Sequence, residues 1–221
     1  MYTSTEFNEG LSMKELLKPE IQKIRKPTYS IEALFLNRWS PRSMTGEEMS
    51  DDELLPLFEA ARWAPSSYNN QPWLFLYAKR NTPEWKLFFD LMIEFNQQWT
   101  KNAAALVVVL SRKNFEHNNK PCRTHSFDTG AAWMNLALEG SSRGYVVHGM
   151  EGFDYDKAKH TLEVPDEYQV EAMIAIGKRS SKENLPEDMQ KKEEPSTRKE
   201  LDSCICKGKF RKTSQKKSAV A

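Results

Sequence analysis

Two arginines and a serine lie close together in the segment Arg38-Trp39-Ser40-Pro41-Arg42. Arginine binds phosphate through bidentate, charge-assisted hydrogen bonds, and a serine hydroxyl can add a further one. A short helix is predicted to end just before this segment, so these side chains would project from a junction of helix and loop. Taken alone, the pattern fits either a phosphate-binding site or a solvated surface.

A second segment, residues 64–73, reads Ala-Pro-Ser-Ser-Tyr-Asn-Asn-Gln-Pro-Trp and is rich in hydroxyl and amide groups. Such groups both donate and accept hydrogen bonds, as a polyhydroxyl chain or the edge of a heterocycle requires. The same residue types also favour the end of a helix followed by a turn. From composition alone, both interpretations stay open.

A third segment, residues 147–154, reads Val-His-Gly-Met-Glu-Gly-Phe-Asp and follows a predicted strand. Its two glycines would let main-chain N–H groups approach a flat ligand closely and face a developing negative charge. A tight turn before a helix capped by Asp154 explains the same residues equally well.

The elements that would position these segments mix helices and strands without a regular alternation. Helices are predicted over 12–25, from Ser30, from a capping box at Ser50 to Glu53, from Thr82 through Phe95, over 126–143 and over 154–160. Strands are predicted over 73–78, 104–111, 145–148 and 168–176. The order favours an α+β domain, and no Gly-x-Gly-x-x-Gly or Walker A pattern is present.

Composition narrows the functional class. The 221 residues include 32 Lys and Arg against 31 Asp and Glu, a net charge of +1, which argues against a strongly basic nucleic-acid-binding protein. The three cysteines are too few for a disulfide framework, and Cys204-x-Cys206 lacks a second pair at zinc spacing, so no metal site is predicted. The start carries no signal-peptide pattern and the longest apolar run, 103–110, is far shorter than the ~20 residues of a membrane span. We therefore expect a cytoplasmic protein that engages no membrane.

In this order and spacing, the three segments resemble the FMN-dependent nitroreductase family. The resemblance runs from about Ile31 to Gly177 and extends more weakly through Leu185-Pro186 and residues 195–198. It implies a mixed, mainly antiparallel sheet wrapped by helices, assembled as an intertwined homodimer with two FMN sites at the interface. It also implies NAD(P)H as co-substrate and a small-molecule electron acceptor, such as a nitroaromatic or a quinone. Flavin N5 would carry the electrons in a ping-pong cycle, with no catalytic side chain.

The resemblance also assigns cofactor-binding residues position by position. Arg38, Ser40 and, later in the chain, Arg198 would hold the FMN phosphate. Arg42 would lie near the ribityl chain and the pyrimidine edge. Residues of the 65–71 segment would come from the other subunit, and the N–H groups of Glu151 and Gly152 would face flavin N5 and O4. The complete predicted set is Arg38, Trp39, Ser40, Arg42, Pro65, Ser66, Ser67, Asn69, Gln71, Gln97, Met150, Glu151, Gly152 and Arg198.

The helical pattern of the N-terminus, the extent of the resemblance and the basic C-terminus together predict three parts of the chain. Residues 1–29 would form an N-terminal helical arm, and residues 30–178 would form the FMN-binding domain. Residues 179–221 would form a basic extension that partly wraps the partner subunit and has a disordered end.

One region departs from the family pattern, just before the buried strand at 104–111. Family members often place an amide and a lysine there, over the flavin pyrimidine. Gln97 could replace the amide, whereas Lys101 is one residue away from the expected place. Two alternative functions therefore stay open. One is a reductive dehalogenase of the iodotyrosine type with residues 95–125 as its lid and Glu94, Lys101 and Arg112 nearby. The other is an FMN-binding protein without turnover.

Overall fold

The computed structural model describes residues 16–210. Strand β2 (Ala105–Arg112) lies inside its sheet and is buried along most of its length. Successive side chains of a strand point to opposite faces. Leu106 and Val108 accordingly pack into one apolar cluster, and Val107 and Val109 pack into a second. Burial on both faces explains why the sequence of β2 is apolar almost throughout.

The sheet has four strands within the described residues. Besides β2, they are β1 (Trp73–Lys79), β3 (Tyr145–Met150) and β4 (Tyr168–Lys178). Their order is β1-β2-β4-β3, and all three pairings are antiparallel. The predicted α+β class with a mainly antiparallel sheet is therefore confirmed, and the four predicted strands lie within one or two residues of their expected ends.

Helices cover both faces of the sheet. None of the helices within residues 16–210 has the length and apolar character that crossing a bilayer would require. The α-helices are α1 (Pro19–Ile24), α2 (Ala33–Asn37), α3 (Asp51–Arg62), α4 (Trp85–Phe89), α5 (Glu94–Thr100), α6 (His125–Ser142), α7 (Tyr155–Thr161) and α8 (Glu187–Gln190).

Helices α3 and α6 pack together on one face of the sheet. The predicted capping box begins α3: Ser50 Oγ accepts from the Glu53 N–H, and the Ser50 N–H donates to Glu53 Oε2. Helix α6 comes close to β3 because Gly140 has no side chain. A Cβ at this position would lie 2.3 Å from Val147.

The predicted continuous helix from Thr82 through Phe95 is wrong. Helix α4 ends at Phe89, the chain turns, and α5 begins at Glu94. Between the two helices, Met92 forms a β-bridge with Phe153, and the Ile93 N–H donates to the Gly152 carbonyl oxygen over 3.1 Å. These contacts to a distant segment outweigh the local helical pattern.

The first described residues fold back onto the predicted phosphate segment. Part of the helix predicted over 12–25 lies outside the described residues, and α1 accounts for its second half. A small apolar cluster holds α1 in place and comprises Leu17, Ile21, Ala33 and Trp39, with Leu36 packed against them. The segment before residue 30 is therefore packed beside the residues that follow α2.

Candidate active site

The segment that follows α2 presents the first predicted site residues. Arg38 Nη1 donates to Ser40 Oγ over 3.2 Å, so the guanidinium and the hydroxyl are held side by side. Trp39, between them, is directed elsewhere: its ring is buried in the small apolar cluster and lies under the guanidinium of Arg179 at 5.1 Å. The alternation sends Arg38 and Ser40 to one side of the chain and Trp39 to the other.

Three guanidinium groups gather beside this segment, and we call Arg25, Arg38 and Arg198 the arginine cluster. Burial and the nearby charges of Arg198 and Arg38 lower the pKa of Arg25 to about 10. Burial and the charge of Arg198 also lower the pKa of Arg38. Within residues 16–210, no carboxylate forms an ion pair with any of the three. Uncompensated like charges at close range favour the binding of an anion.

A carboxylate from the C-terminal extension fixes the main chain just after the arginine cluster. Glu193 Oε1 accepts from the N–H of Arg42 over 2.7 Å and from the N–H of Ser43 over 2.9 Å. The Nε atom of Arg42 is buried without a hydrogen-bond partner among the described residues. The Arg42 side chain therefore retains an unused donor at the predicted site.

His148 holds the same segment against the sheet. Its Nδ1 lies 2.9 Å from the carbonyl oxygen of Pro41, so Nδ1 carries the proton and donates it. Burial lowers the pKa of His148 to about 4, and the charges of Arg42 and Arg38 act in the same direction. A neutral imidazole thus connects β3 to the loop that carries Arg38 and Ser40.

A cleft of about 490 Å³ opens next to Ser40, and we call it the central cleft. Its floor is formed by side chains of β2 and β4, and its walls come from α6, the end of β3 and the start of α7. Three predicted site residues line it: Ser40, Met150 and Glu151. Other lining residues include Trp133, Tyr155 and Glu171, which the sequence did not single out as part of a site.

Polar groups at one wall of the central cleft are tied into a network around Glu171. Ser126 Oγ donates to Glu171 Oε1 over 2.6 Å, and buried Ser111 donates to the same oxygen. Ser111 Oγ also lies 2.7 Å from His125 Nδ1. Burial and the charges of Glu151 and Glu171 raise the pKa of Tyr155, a phenol that can donate a hydrogen bond.

The turn after β3 keeps two main-chain donors free. Neither the Glu151 N–H nor the Gly152 N–H makes a hydrogen bond within residues 16–210. The Gly152 carbonyl oxygen, in contrast, accepts from Ile93 N–H and from Asn96 Nδ2. A Cβ on Gly152 would lie 2.6 Å from Asn96 Nδ2, so this glycine permits the close packing of α5.

Residues 65–71, which we call the polar loop, adopt an unusual backbone. Tyr68, Asn69 and Gln71 have φ values of 53°, 53° and 48°, a region that residues other than glycine rarely occupy. The loop is anchored to the start of α6 because the Ser67 N–H donates to Asp128 Oδ2 over 3.0 Å. Such strain is typical of functional loops and is retained only where surrounding contacts fix the backbone.

The structure brings some of the predicted residues together within one chain and leaves others apart. Arg38, Ser40 and Arg198 converge at the arginine cluster, and Ser40, Met150 and Glu151 share the central cleft. No hydrogen bond among the described residues joins the polar loop to either group. The residues left apart are Pro65, Ser66, Ser67, Asn69 and Gln71.

Gln97 lies on α5 with its amide already engaged. Its Nε2 donates to the carbonyl oxygens of Phe89 and Met92 over 3.2 and 3.1 Å. The side chain thereby stabilises the break between α4 and α5. Its assignment to the flavin pyrimidine stays a prediction that would have to rely on the remaining amide oxygen.

Some residues of the site were not predicted from the sequence, because they form hydrogen bonds with segments that are far away in the chain. Arg25, Glu171 and Glu193 occupy segments without a motif, and each contacts elements that are far away in the chain. The only signal for Arg25 was its position at the end of an amphipathic helix, which carried no hint of a binding role.

The sequence model of the nitroreductase family matches residues 36–178, which is more than half of the chain. The chain belongs to the nitroreductase family. A solved structure described as an oxidoreductase containing FMN is 43% identical, with a TM-score of 0.81; the match covers 85% of this chain and 96% of that one.

Two curated proteins are similar to this chain in sequence over different lengths. Protein DrgA of a Synechocystis species is 26% identical over 181 residues, which cover 68% of this chain and 84% of that protein. The oxygen-insensitive NADPH nitroreductase of Helicobacter pylori strain J99 is 41% identical over 69 residues, about a third of each chain (31% and 32%). Membership in the family is thus supported along most of the chain.

Proposed function

We propose that this nitroreductase-family protein is an FMN-dependent oxidoreductase that passes electrons from NAD(P)H to a small acceptor, such as a nitroaromatic or a quinone. The observation that carries the proposal is the arginine cluster without a counter-ion beside the central cleft. The FMN contained in the 43% identical structure and the NADPH named for the Helicobacter pylori relative support it.

The phosphate end of FMN fits the chemistry of the donors at the arginine cluster. Arg38 and Arg198 offer guanidinium groups, and Ser40 offers a hydroxyl next to Arg38. No described carboxylate competes for these cations. A phosphate dianion would supply the missing negative charge through charge-assisted hydrogen bonds.

The flavin end fits the central cleft. Glu151 lines the cleft and Gly152 follows it, and their free N–H groups can donate to acceptor atoms of a heterocycle. Trp133 provides an aromatic wall, since its ring lies so close to β3 that a Cβ on Gly149 would be 3.1 Å away. Arg42 retains its buried Nε donor nearby on the segment that follows Ser40.

The protein's own residues would bind and orient the reactants. FMN held by these residues would supply the redox chemistry between NAD(P)H and the acceptor. Main-chain donors at Glu151 and Gly152 favour negative charge near them without any proton transfer by a side chain. The phenol of Tyr155, which lines the central cleft, can donate to an oxygen of a substrate there.

The proposal includes a homodimer in which the polar loop completes the partner's site. Within one chain this loop lies apart from the arginine cluster, although its strained backbone is typical of a functional segment. Exposed apolar side chains on α6, Phe127 and Met134, provide a surface that association would bury. We also propose that the chain consists of an N-terminal arm (1–29), an FMN-binding domain (30–178) and a C-terminal extension (179–221).

The alternative of a dehalogenase for iodotyrosine receives less support. Such an enzyme needs charged lid residues that grip an amino-acid zwitterion. Glu94 and Lys101 lie at opposite ends of α5, a helix of seven residues, and Arg112 pairs with Glu116 at 3.4 Å. These three side chains therefore do not form a cluster for a zwitterion.

The first test is the visible absorption spectrum of the purified protein, before and after anaerobic addition of NADPH or NADH. A flavin spectrum that bleaches and returns when a nitroaromatic or a quinone is added is the expected result. Free FMN with the same nicotinamide nucleotide is the control for direct reduction. A protein that stays colourless with excess FMN would refute the proposal. If the protein binds FMN but neither NADPH nor NADH reduces it, the alternative of an FMN-binding protein without turnover is supported.

A further inference from the structure

Arg25 connects the two segments that carry the other members of the arginine cluster. Its Nη1 donates to the carbonyl oxygens of Leu36 and Arg38, over 2.6 and 2.7 Å. Its Nε donates to the carbonyl oxygen of Ser196 over 3.0 Å. Because Ser196 precedes Arg198 by two positions, one guanidinium fixes the main chain on both sides of the predicted phosphate site.

The surroundings of Arg25 leave part of its charge unsatisfied. The side chain is 9% exposed, and its Nη2 is buried without a hydrogen-bond partner among the described residues. Burial of a cation with only neutral acceptors and two further cations nearby is costly. Arg25 lies outside the part of the chain that the family model matches, which begins at residue 36. An anion held by the arginine cluster would offset this cost.

Arg25 also belongs to the first described part of the chain. It follows α1 directly, and α1 is attached to the body through Ile21 and through an ion pair of 2.9 Å between Glu20 and Arg179. Any change in the position of residues 17–25 therefore moves the guanidinium that holds Arg38 and Arg198. Binding at the phosphate site and docking of this segment must then affect each other to the same extent.

We infer that Arg25 is a positioning residue for the cofactor phosphate, and that through it phosphate binding is coupled to docking of residues 17–25. This inference rests on the proposed function. It implies that the chain binds FMN more tightly than riboflavin, which lacks the phosphate. Part of this preference should depend on Arg25, because Arg25 holds the segments of Arg38, Ser40 and Arg198 in position. The coupling also implies that FMN protects residues 17–25 more than riboflavin does.

The test compares wild type with Arg25→Gln, Arg25→Lys and the control Arg62→Gln. The control removes one positive charge from an exposed ion pair with Glu59 on α3, outside both residues 17–25 and the arginine cluster. Dissociation constants for FMN and riboflavin are measured by quenching of flavin fluorescence. We expect Arg25→Gln to reduce the preference for FMN over riboflavin about tenfold, the size of one lost hydrogen bond to a charged group. Arg25→Lys should recover part of the preference, and Arg62→Gln should retain it.

Hydrogen exchange of residues 17–25 provides the second readout. FMN should slow exchange in wild type more than riboflavin does, and Arg25→Gln should remove that difference. The inference is overturned if Arg25→Gln weakens FMN and riboflavin binding equally. It is also overturned if residues 17–25 exchange at the same rate in FMN-bound Arg25→Gln as in FMN-bound wild type. In either case Arg25 is only a structural residue.

Inorganic phosphate separates this inference from the proposed function. If wild type binds no FMN, the proposed function fails, and thermal unfolding in phosphate or chloride at equal ionic strength still tests the site. Phosphate should then raise the Tm of wild type and of Arg62→Gln, but not that of Arg25→Gln. An equal rise in wild type and Arg25→Gln, or no rise in wild type, would overturn the role of Arg25.

Discussion

The rings of Trp99 and His148 lie 4.7 Å apart between centroids, with Trp99 almost completely buried. The indole covers one side of the imidazole, while His148 Nδ1 donates to the carbonyl oxygen of Pro41. This pair joins the end of α5, strand β3 and the loop of Arg38 and Ser40. His148 therefore connects these elements and stays neutral near pH 7, since burial lowers its pKa to about 4.

His148 should make the folded state less stable in mild acid. Its pKa falls from the ordinary 6.5 to about 4 on folding, because burial disfavours the cation. Between these values the unfolded chain binds a proton that the folded chain does not bind, so stability decreases as the pH falls through this window. The expected loss between pH 7 and pH 5 is about 2 kcal/mol. Urea unfolding of wild type and His148→Asn at both pH values measures it.

The asparagine variant keeps a donor near the position of Nδ1 and removes the titration, so its stability should change less between the two pH values. His117→Asn is the matched control, because His117 is exposed and its ring forms a hydrogen bond, among residues 16–210, only with the neighbouring Asn118 side chain. An equal pH dependence in wild type and His148→Asn would contradict the assignment.

Local signals predicted local structure correctly. The capping box at Ser50 and the N-cap at Asp154 are both present, because each depends on hydrogen bonds within a few residues. The continuous helix expected from Thr82 through Phe95 was a wrong prediction, because contacts with a distant segment interrupt it. Its break is stabilised by Gly152 and Phe153, about sixty residues further along the chain.

The candidate site was predictable to the extent that it consists of motifs. Arg38 and Ser40 are two positions apart, so their shared role was visible in the sequence, and the structure places them side by side. Arg25 and Glu193 carry no local pattern. Their contacts with Arg38 and Arg42 exist only because the two ends of the described chain fold onto the same loop.

Substitution of Arg38 should weaken FMN binding without lowering the stability of the flavin-free protein. Burial and the charge of Arg198 already disfavour its cation, so Arg38→Gln relieves repulsion in the flavin-free protein. We expect an unchanged or higher Tm without flavin, together with an FMN affinity at least about tenfold lower. Differential scanning fluorimetry and flavin titration measure the two effects.

Arg62→Gln serves as the control for loss of one positive charge, since Arg62 is exposed on α3 and pairs with Glu59. It should alter neither quantity. Loss of stability in Arg38→Gln with normal FMN affinity would show that Arg38 acts in folding and not in phosphate binding.

Glu193 should stabilise the protein and support the site at the same time. Its carboxylate accepts from the N–H groups of Arg42 and Ser43. Glu193→Ala leaves these donors without a partner, which should lower the free energy of unfolding by about 1–3 kcal/mol and weaken FMN binding. The neighbouring exposed Glu194→Ala is the control and should behave like wild type. Chemical unfolding combined with flavin titration would refute the role of Glu193 if both variants were equal.

The proposed sharing of each site between two subunits can be tested by complementation. Arg38→Gln damages the arginine cluster, whereas Asn69→Gly removes an amide from the polar loop and tolerates its φ of 53°. Each variant alone should bind FMN weakly. If each site combines both regions from different subunits, a mixed dimer contains one intact and one doubly altered site.

Random exchange of the two variants should therefore restore about a quarter of the wild-type FMN sites at high affinity, since half of the dimers are mixed and each of these regains one site. The measurement is FMN titration after the two proteins are unfolded and refolded together, with each variant refolded alone as the control. Recovery would place the polar loop at the partner's arginine cluster. Binding no stronger than the average of the separate variants would mean that both regions serve one chain's own site, or that the chain does not form such a dimer.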